Sequence, residues 1–175
     1  ELGKIDGSIL EPEMEIASGR AIGAEALIRW QHPEFGLLLP SHFISTAEDC
    51  GLILAMGDWV LRSACQQAKL WLDHDCPIVV SVNLSVTQFR QKNLLQNIKD
   101  ALQFAALEPQ YLTLEITEAI LVDGTDRVIE TLNSLRKIGV KITLDDFGTG
   151  YSGLGYLKRF SIDKLKIDPS FIHDI

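Results

Sequence analysis

Two adjacent carboxylates, Asp145 and Asp146, close the strand-like run Val140 to Leu144 and are followed at once by Gly148 and Gly150. Like charges at the end of a buried strand repel each other and lose hydration, so a partner of opposite sign is expected nearby. Polar groups recur at the corresponding place in other apolar runs: Glu25 in "IGAEALIRW", Asn83 in "IVVSVNLS", Glu115 in "LTLEITE" and Lys166 in "KLKIDPS". If these runs are neighbours, Glu25, Asn83, Glu115, Asp145 and Asp146 bring four carboxylates and an amide oxygen together. Oxygen-only ligands suit Mg²⁺ or Mn²⁺ better than Zn²⁺, which recruits His or Cys. That much negative charge calls for two ions, about 3.5–4 Å apart in known two-metal sites. Arg29 suits bidentate contact with a phosphate. Lys166, beside a cation-bound water, could orient or deprotonate a nucleophile. Gly148 and Gly150 are not a phosphate loop, since no GK[ST] follows them.

Positioning such a cluster is the task of the elements. Runs of strand length alternate with stretches of helical period, the βαβα pattern of an α/β fold. The strands are expected at Ser8–Ile16, Ala21–Trp30, Ile78–Asn83, Tyr111–Ile116, Val140–Asp145 and Lys164–Ile167. Helices are expected at Ser41–Cys50, capped by Ser41, at Ala55–Asp73, at Leu94–Ala106 and at Thr125–Ile138, the last capped by Thr125 and ended by Gly139. Trp30, Trp59 and Trp71 are read as core. Side chains alternate across a strand, and in five strands one face is apolar while the other carries a polar or ionic residue late in the strand. A parallel sheet covered on both faces would be apolar on both. The pattern therefore indicates a barrel whose strands feed one polar site at their C-terminal ends. For Asp145 and Asp146 to reach the same site, the strand must end there, and Phe147-Gly148-Thr149-Gly150 supplies the break.

Taken singly, each residue has a plainer role. A lone Glu25 or Glu115 could be a solvated carboxylate, Asn83 a turn residue, and Lys166 the partner of Asp163 or Asp168 in a surface ion pair. The same phase on five strands favours the joint reading.

The bulk composition limits the functions available. With 175 residues, 46% hydrophobic and 23% charged, the chain suits one globular domain. A net charge of -8 argues against tracking a nucleic-acid polymer, yet permits a local cationic pocket for a small anion. Cys50, Cys65 and Cys76 lack CxxC spacing and read as free thiols in a reducing compartment, hence a cytoplasmic location. No apolar run approaches the roughly 20 residues that span a bilayer, so a membrane anchor of a parent protein would lie outside this chain.

In order and spacing, "AEALIRWQHPEFG", "SVNLS", "LEITE", "DDFGTGYSGL" and "KIDPSFI" resemble the EAL domain of bacterial cyclic di-GMP phosphodiesterases. The resemblance implies a TIM-like (β/α)8 barrel with one antiparallel strand, spanning residues 1–175 and incomplete here because the last strands are missing. It implies hydrolysis of one phosphodiester bond of cyclic di-GMP, giving linear pGpG, with Mg²⁺ or Mn²⁺. Carried over by motif, Glu25, Asn83, Glu115 and Asp145 would hold one metal, and Asp145 would bridge to a second held also by Asp146. Glu25 and Lys166 would be catalytic, with Lys166 acting on the water. Leu27 and Arg29 would contact substrate, and Glu118 would stabilise the loop after Asp146, which links the site to a homodimer interface. GGDEF or sensory domains are the implied partners in the parent protein.

Two departures stand out. Where the family usually has a Gln that touches the nucleotide, in "YQP", this chain has Glu11 in "LEP". The family's late "EGVE"-like motif and a Gln near its end are not present by Ile175. Two other readings are a cyclic di-GMP receptor that binds without hydrolysis and a metal-dependent lyase or enolase-type barrel.

Overall fold

A computed structural model describes residues 8–122, 126–148 and 159–171. The first strand, β1 (Ser8–Met14), returns through a turn at Gly19, whose φ of 67° suits a residue without Cβ, to pair antiparallel with β2 (Ala21–Ile28). From β2 onward the ladder is parallel: β5 (Val79–Asn83), β6 (Leu112–Thr117), β7 (Lys141–Phe147) and β8 (Lys164–Ile167), giving the order β1-β2-β5-β6-β7-β8. Between β2 and β5 the chain forms a small hairpin, β3 (Trp30–His32) with β4 (Gly36–Leu38).

Flat, this sheet would hold its outer strands roughly 24 Å apart, five spacings of about 4.8 Å. Yet Lys164 on β8 donates to Glu13 on β1 at 2.5 Å. The sheet is therefore curled into most of a barrel, with β1 and β8 facing each other across its open side.

The outward residues of the parallel strands, among them Ala26, Val80, Val82, Leu112, Leu114, Ile142 and Leu144, are buried in one core. Three helices cover them: α2 (Leu52–Asp73), α4 (Leu94–Ala105) and α6 (Asp126–Ile138). The stripe of α2 that is buried is Ile53, Val60, Leu61, Ala64, Cys65 and Ala68, a 3.6-residue period, whereas Trp59 and Leu70 face solvent. Trp59 is thus a surface residue, not core. All three cysteines are free, and burial pushes the Cys65 thiol up to about 12, which keeps it inert.

Several element bounds differ from expectation for local reasons. Pro40 opens a 3-10 turn (Pro40–His42), and the buried Phe43 separates it from α1 (Ile44–Asp49), so Ser41 caps nothing. Gly51, with φ of 72°, then starts α2 three residues early. The short helix α3 (Val86–Phe89) carries a capping box in which Ser85 and Gln88 satisfy each other's backbone N–H groups. Another short helix, α5 (Glu118–Val122), follows β6 directly. Gly139, with φ of 101°, ends α6 as expected. Thr125, Thr149 and Gly150 lie outside the described residues. No helix among the described residues is long and apolar enough to cross a membrane.

Candidate functional site

The strand register determines which polar side chains meet. Glu11 lies opposite Glu25 on β1 and β2, Asn83 opposite Glu115 on β5 and β6, and Asp145 on β7 opposite Thr117. The face opposite the helices is thus lined by Glu25, Asn83, Glu115 and Asp145, the phase expected from alternation.

Lys166 sits at the centre. Its ammonium lies 2.7 Å from Glu25 Oε2, 2.6 Å from Glu115 Oε1 and 2.7 Å from Glu115 Oε2, with Glu13 Oε1 at 3.7 Å. Asn83 Nδ2 donates to the other Glu25 oxygen at 2.7 Å. Glu115 is 1% exposed. Burial pushes its carboxyl up to about 7 against the bond from Lys166, while the charges of Glu25 and Asp145 add to the rise. For Lys166 burial acts to lower the pKa, but its bonds to Glu115 and Glu25 outweigh that and raise it, so the group stays charged.

Asp145 and Asp146 reach this region by a device the sequence does not announce. Strand β7 continues through them to Phe147, but its register with β8 shifts between Leu144 and Phe147, and Asp146 adopts a left-handed φ of 54°. The expected strand break is instead a bulge inside the strand. Asp145 Oδ1 accepts from the Asp146 N–H at 2.9 Å. Desolvation and the charges of Asp145, Asp168 and Glu25 raise the Asp146 carboxyl, which places it in the same electrostatic field.

Arg29 lies just beyond β2, which stops at Ile28 rather than Trp30. It is 7% exposed, donates to its own neighbour's Ile28 carbonyl at 3.1 Å, and pairs with Glu11 at 3.4 Å. Its Nε is buried without a partner. Leu27 lines a cavity of ≈350 Å³ together with Pro40, Ile44, Asn83, Ser85 and Thr117, and Asn83 links it to Glu25. Glu118, also buried, accepts from the Gly148 N–H at 2.9 Å through Oε1, while its Oε2 has no partner.

Glu13 escaped the sequence reading. It shares its face with Glu11 two residues away, so comparing the two faces of β1, as for the later strands, would have found it. It accepts from Lys164 at 2.5 Å and from Ser81 Oγ at 3.4 Å. Burial acts to raise its pKa, but Lys164, Lys166 and Ser81 outweigh that and hold it below the usual carboxylate range.

Among the described residues no three His, Cys, Asp or Glu side chains are gathered as a ready metal site. The Lys166 ammonium supplies the positive charge between Glu25 and Glu115. The donor set still fits a hard cation: its atoms are carboxylate and amide oxygens, and Glu115 Oε1 is buried with no hydrogen bond, only the ionic contact with Lys166.

Residues 9–175 match the family described as the EAL domain. The chain is 44% identical over 166 residues to the bifunctional diguanylate cyclase/cyclic di-GMP phosphodiesterase MucR of Pseudomonas aeruginosa, covering 94% of this chain and 24% of that protein. It is 43% identical over 166 residues to the cyclic di-GMP phosphodiesterase NbdA of the same organism, covering 94% of this chain and 21% of the relative. The chain thus spans less than a quarter of the length of these curated relatives. The solved structure of the PaMucR phosphodiesterase in complex with c-di-GMP superimposes with a TM-score of 0.90 at 44% identity, covering 94% of this chain and 67% of that one.

Proposed function

This chain belongs to the EAL domain family, and we propose that it carries the catalytic part of a hydrolase that opens cyclic di-GMP to linear pGpG. The observation that supports this most is the convergence of Glu25 and Glu115 on Lys166, with Asn83 bonded to Glu25, beside the apolar cavity at Leu27 and Pro40. A cavity of ≈350 Å³ has room for a nucleobase, and Arg29, bonded to the carbonyl of the lining residue Ile28, has the charge and fork to meet a phosphate.

In the proposed reaction, a water oxygen bonds to one phosphorus, the P–O3′ bond breaks, and the 3′ oxygen takes up a proton, leaving a 5′-phosphate on pGpG. Glu25, Asn83, Glu115 and Asp145 would hold one Mg²⁺ or Mn²⁺, and Asp145 with Asp146 a second. When bound, such ions neutralise charge on the phosphoryl oxygens and make a coordinated water more acidic. Lys166 orients the attacking water from below. Arg29 and Leu27 position the dinucleotide, and Glu118 steadies the end of β7 through Gly148.

Purified full-length protein incubated with cyclic di-GMP and Mg²⁺, Mn²⁺ or a chelator tests this. pGpG is expected with either ion and not with the chelator. Tight binding with no turnover under any condition would identify a receptor instead.

A further inference from the structure

Lys166 is caught between two demands. In the structure its ammonium is held by Glu25 and Glu115, the same carboxylates that the proposed function assigns to a divalent cation. Once those oxygens turn to a cation, Lys166 loses both anionic partners and faces a positive charge instead. A buried ammonium left without a counter-ion is costly. Among the described residues one further carboxylate lies within 4 Å of it: Glu13, whose Oε1 is 3.7 Å from Nζ.

Glu13 is prepared for that role. Lys164 and Ser81 hold it ionised and aimed into the barrel. Gly23 leaves it room, since a Cβ there would come within 3.1 Å of Glu13 Oε2. A shift of about 1 Å would bring Lys166 Nζ into hydrogen-bond range of Glu13 Oε1. Lys164 engages the other oxygen, and Oε1 accepts only the long 3.4 Å bond from Ser81 Oγ, which leaves a lone pair for Lys166.

We infer that Glu13 is a positioning residue: it receives Lys166 from Glu25 and Glu115 when these bind a cation, and so keeps the ammonium beneath the reacting water. This rests on the metal-dependent reading above. A consequence follows for cation affinity. Without Glu13, Lys166 stays on Glu25 and Glu115 and competes with the ion.

The test is a double-mutant cycle on Mn²⁺ and Mg²⁺ affinity, measured calorimetrically with the full-length protein at physiological salt. Glu13→Gln should weaken cation binding about tenfold when Lys166 is present and twofold or less in the Lys166→Met background. Glu13→Asp should restore part of the loss. A simple charge effect would weaken binding equally in both backgrounds, and that result overturns the inference, as does an unchanged affinity in Glu13→Gln. If Glu13→Gln fails to fold, Lys164→Met takes its place: it removes the ion pair that aims Glu13 and should weaken cation binding with Lys166 present but not in Lys166→Met, and an equal change in both overturns the inference. Wild-type protein that takes up neither ion overturns it together with the metal requirement. Normal cation linkage without cyclic di-GMP turnover overturns the substrate reading alone.

Discussion

At the scale of single residues, the site is an ion cluster in which one ammonium is shared by three carboxylates. Glu25 touches both Lys166 and Asn83, so Glu25→Gln removes a carboxylate charge while keeping the side-chain volume. Hydrolysis should fall about 100-fold or more, with circular dichroism unchanged. Hydrolysis at the wild-type rate would remove Glu25 from the site. Glu115 gives a prediction about pH. Its carboxyl rises from an ordinary 4.5 to about 7 on folding, so between those values the folded chain binds more protons than the unfolded one. Stability of the cation-free protein should therefore fall as pH rises through this window. Glu115→Gln should flatten that slope in denaturation curves taken at a series of pH values. An unchanged slope would place its origin elsewhere.

At the scale of elements, the end of β7 matters most, because it aims Asp145 and Asp146 and is tied to Glu118. Gly148 has φ of 105°, and a Cβ there would lie 2.4 Å from the Phe171 ring. Gly148→Ala should cost about 1–3 kcal/mol in denaturant unfolding and lower hydrolysis with it. A fully stable and active Gly148→Ala protein would show that this turn does not hold the site. Farther away, Leu132 is wholly buried in α6 beneath the sheet, and Leu132→Ala should cost about 2–5 kcal/mol by melting without changing cation affinity. The long elements and the polar face were legible because strand and helix periods are properties of sequence neighbours. The features that depend on tertiary contact were not. Phe43 breaks a helix because it is buried, Asp146 turns left-handed because two carboxylates must share one side, and the β3–β4 hairpin ends β2 at Ile28. Arg29 was expected to face substrate, and its pairing with Glu11 became visible only once β1 was folded antiparallel against β2.

At the scale of the whole molecule, the curled sheet leaves β1 and β8 as edges bridged only by side chains among the described residues. Leu165, Ile167 and Phe171 are exposed along the β8 side. Unpaired edges with apolar flanks invite association, so this 175-residue chain alone should self-associate at micromolar concentration by light scattering, and a strictly monomeric chain would show that the edges are protected. In the proposed reaction the curled sheet brings residues from five strands to one phosphodiester and delivers a water to its phosphorus. Turnover of cyclic di-GMP in water enriched in heavy oxygen, followed by mass spectrometry of the product, tests it most directly. The full-length protein with Mn²⁺ should give pGpG carrying one heavy oxygen in its 5′-phosphate, and Glu25→Gln should give almost none. Recovery of intact, unlabelled cyclic di-GMP from a protein saturated with both ligand and ion would contradict the proposed hydrolysis.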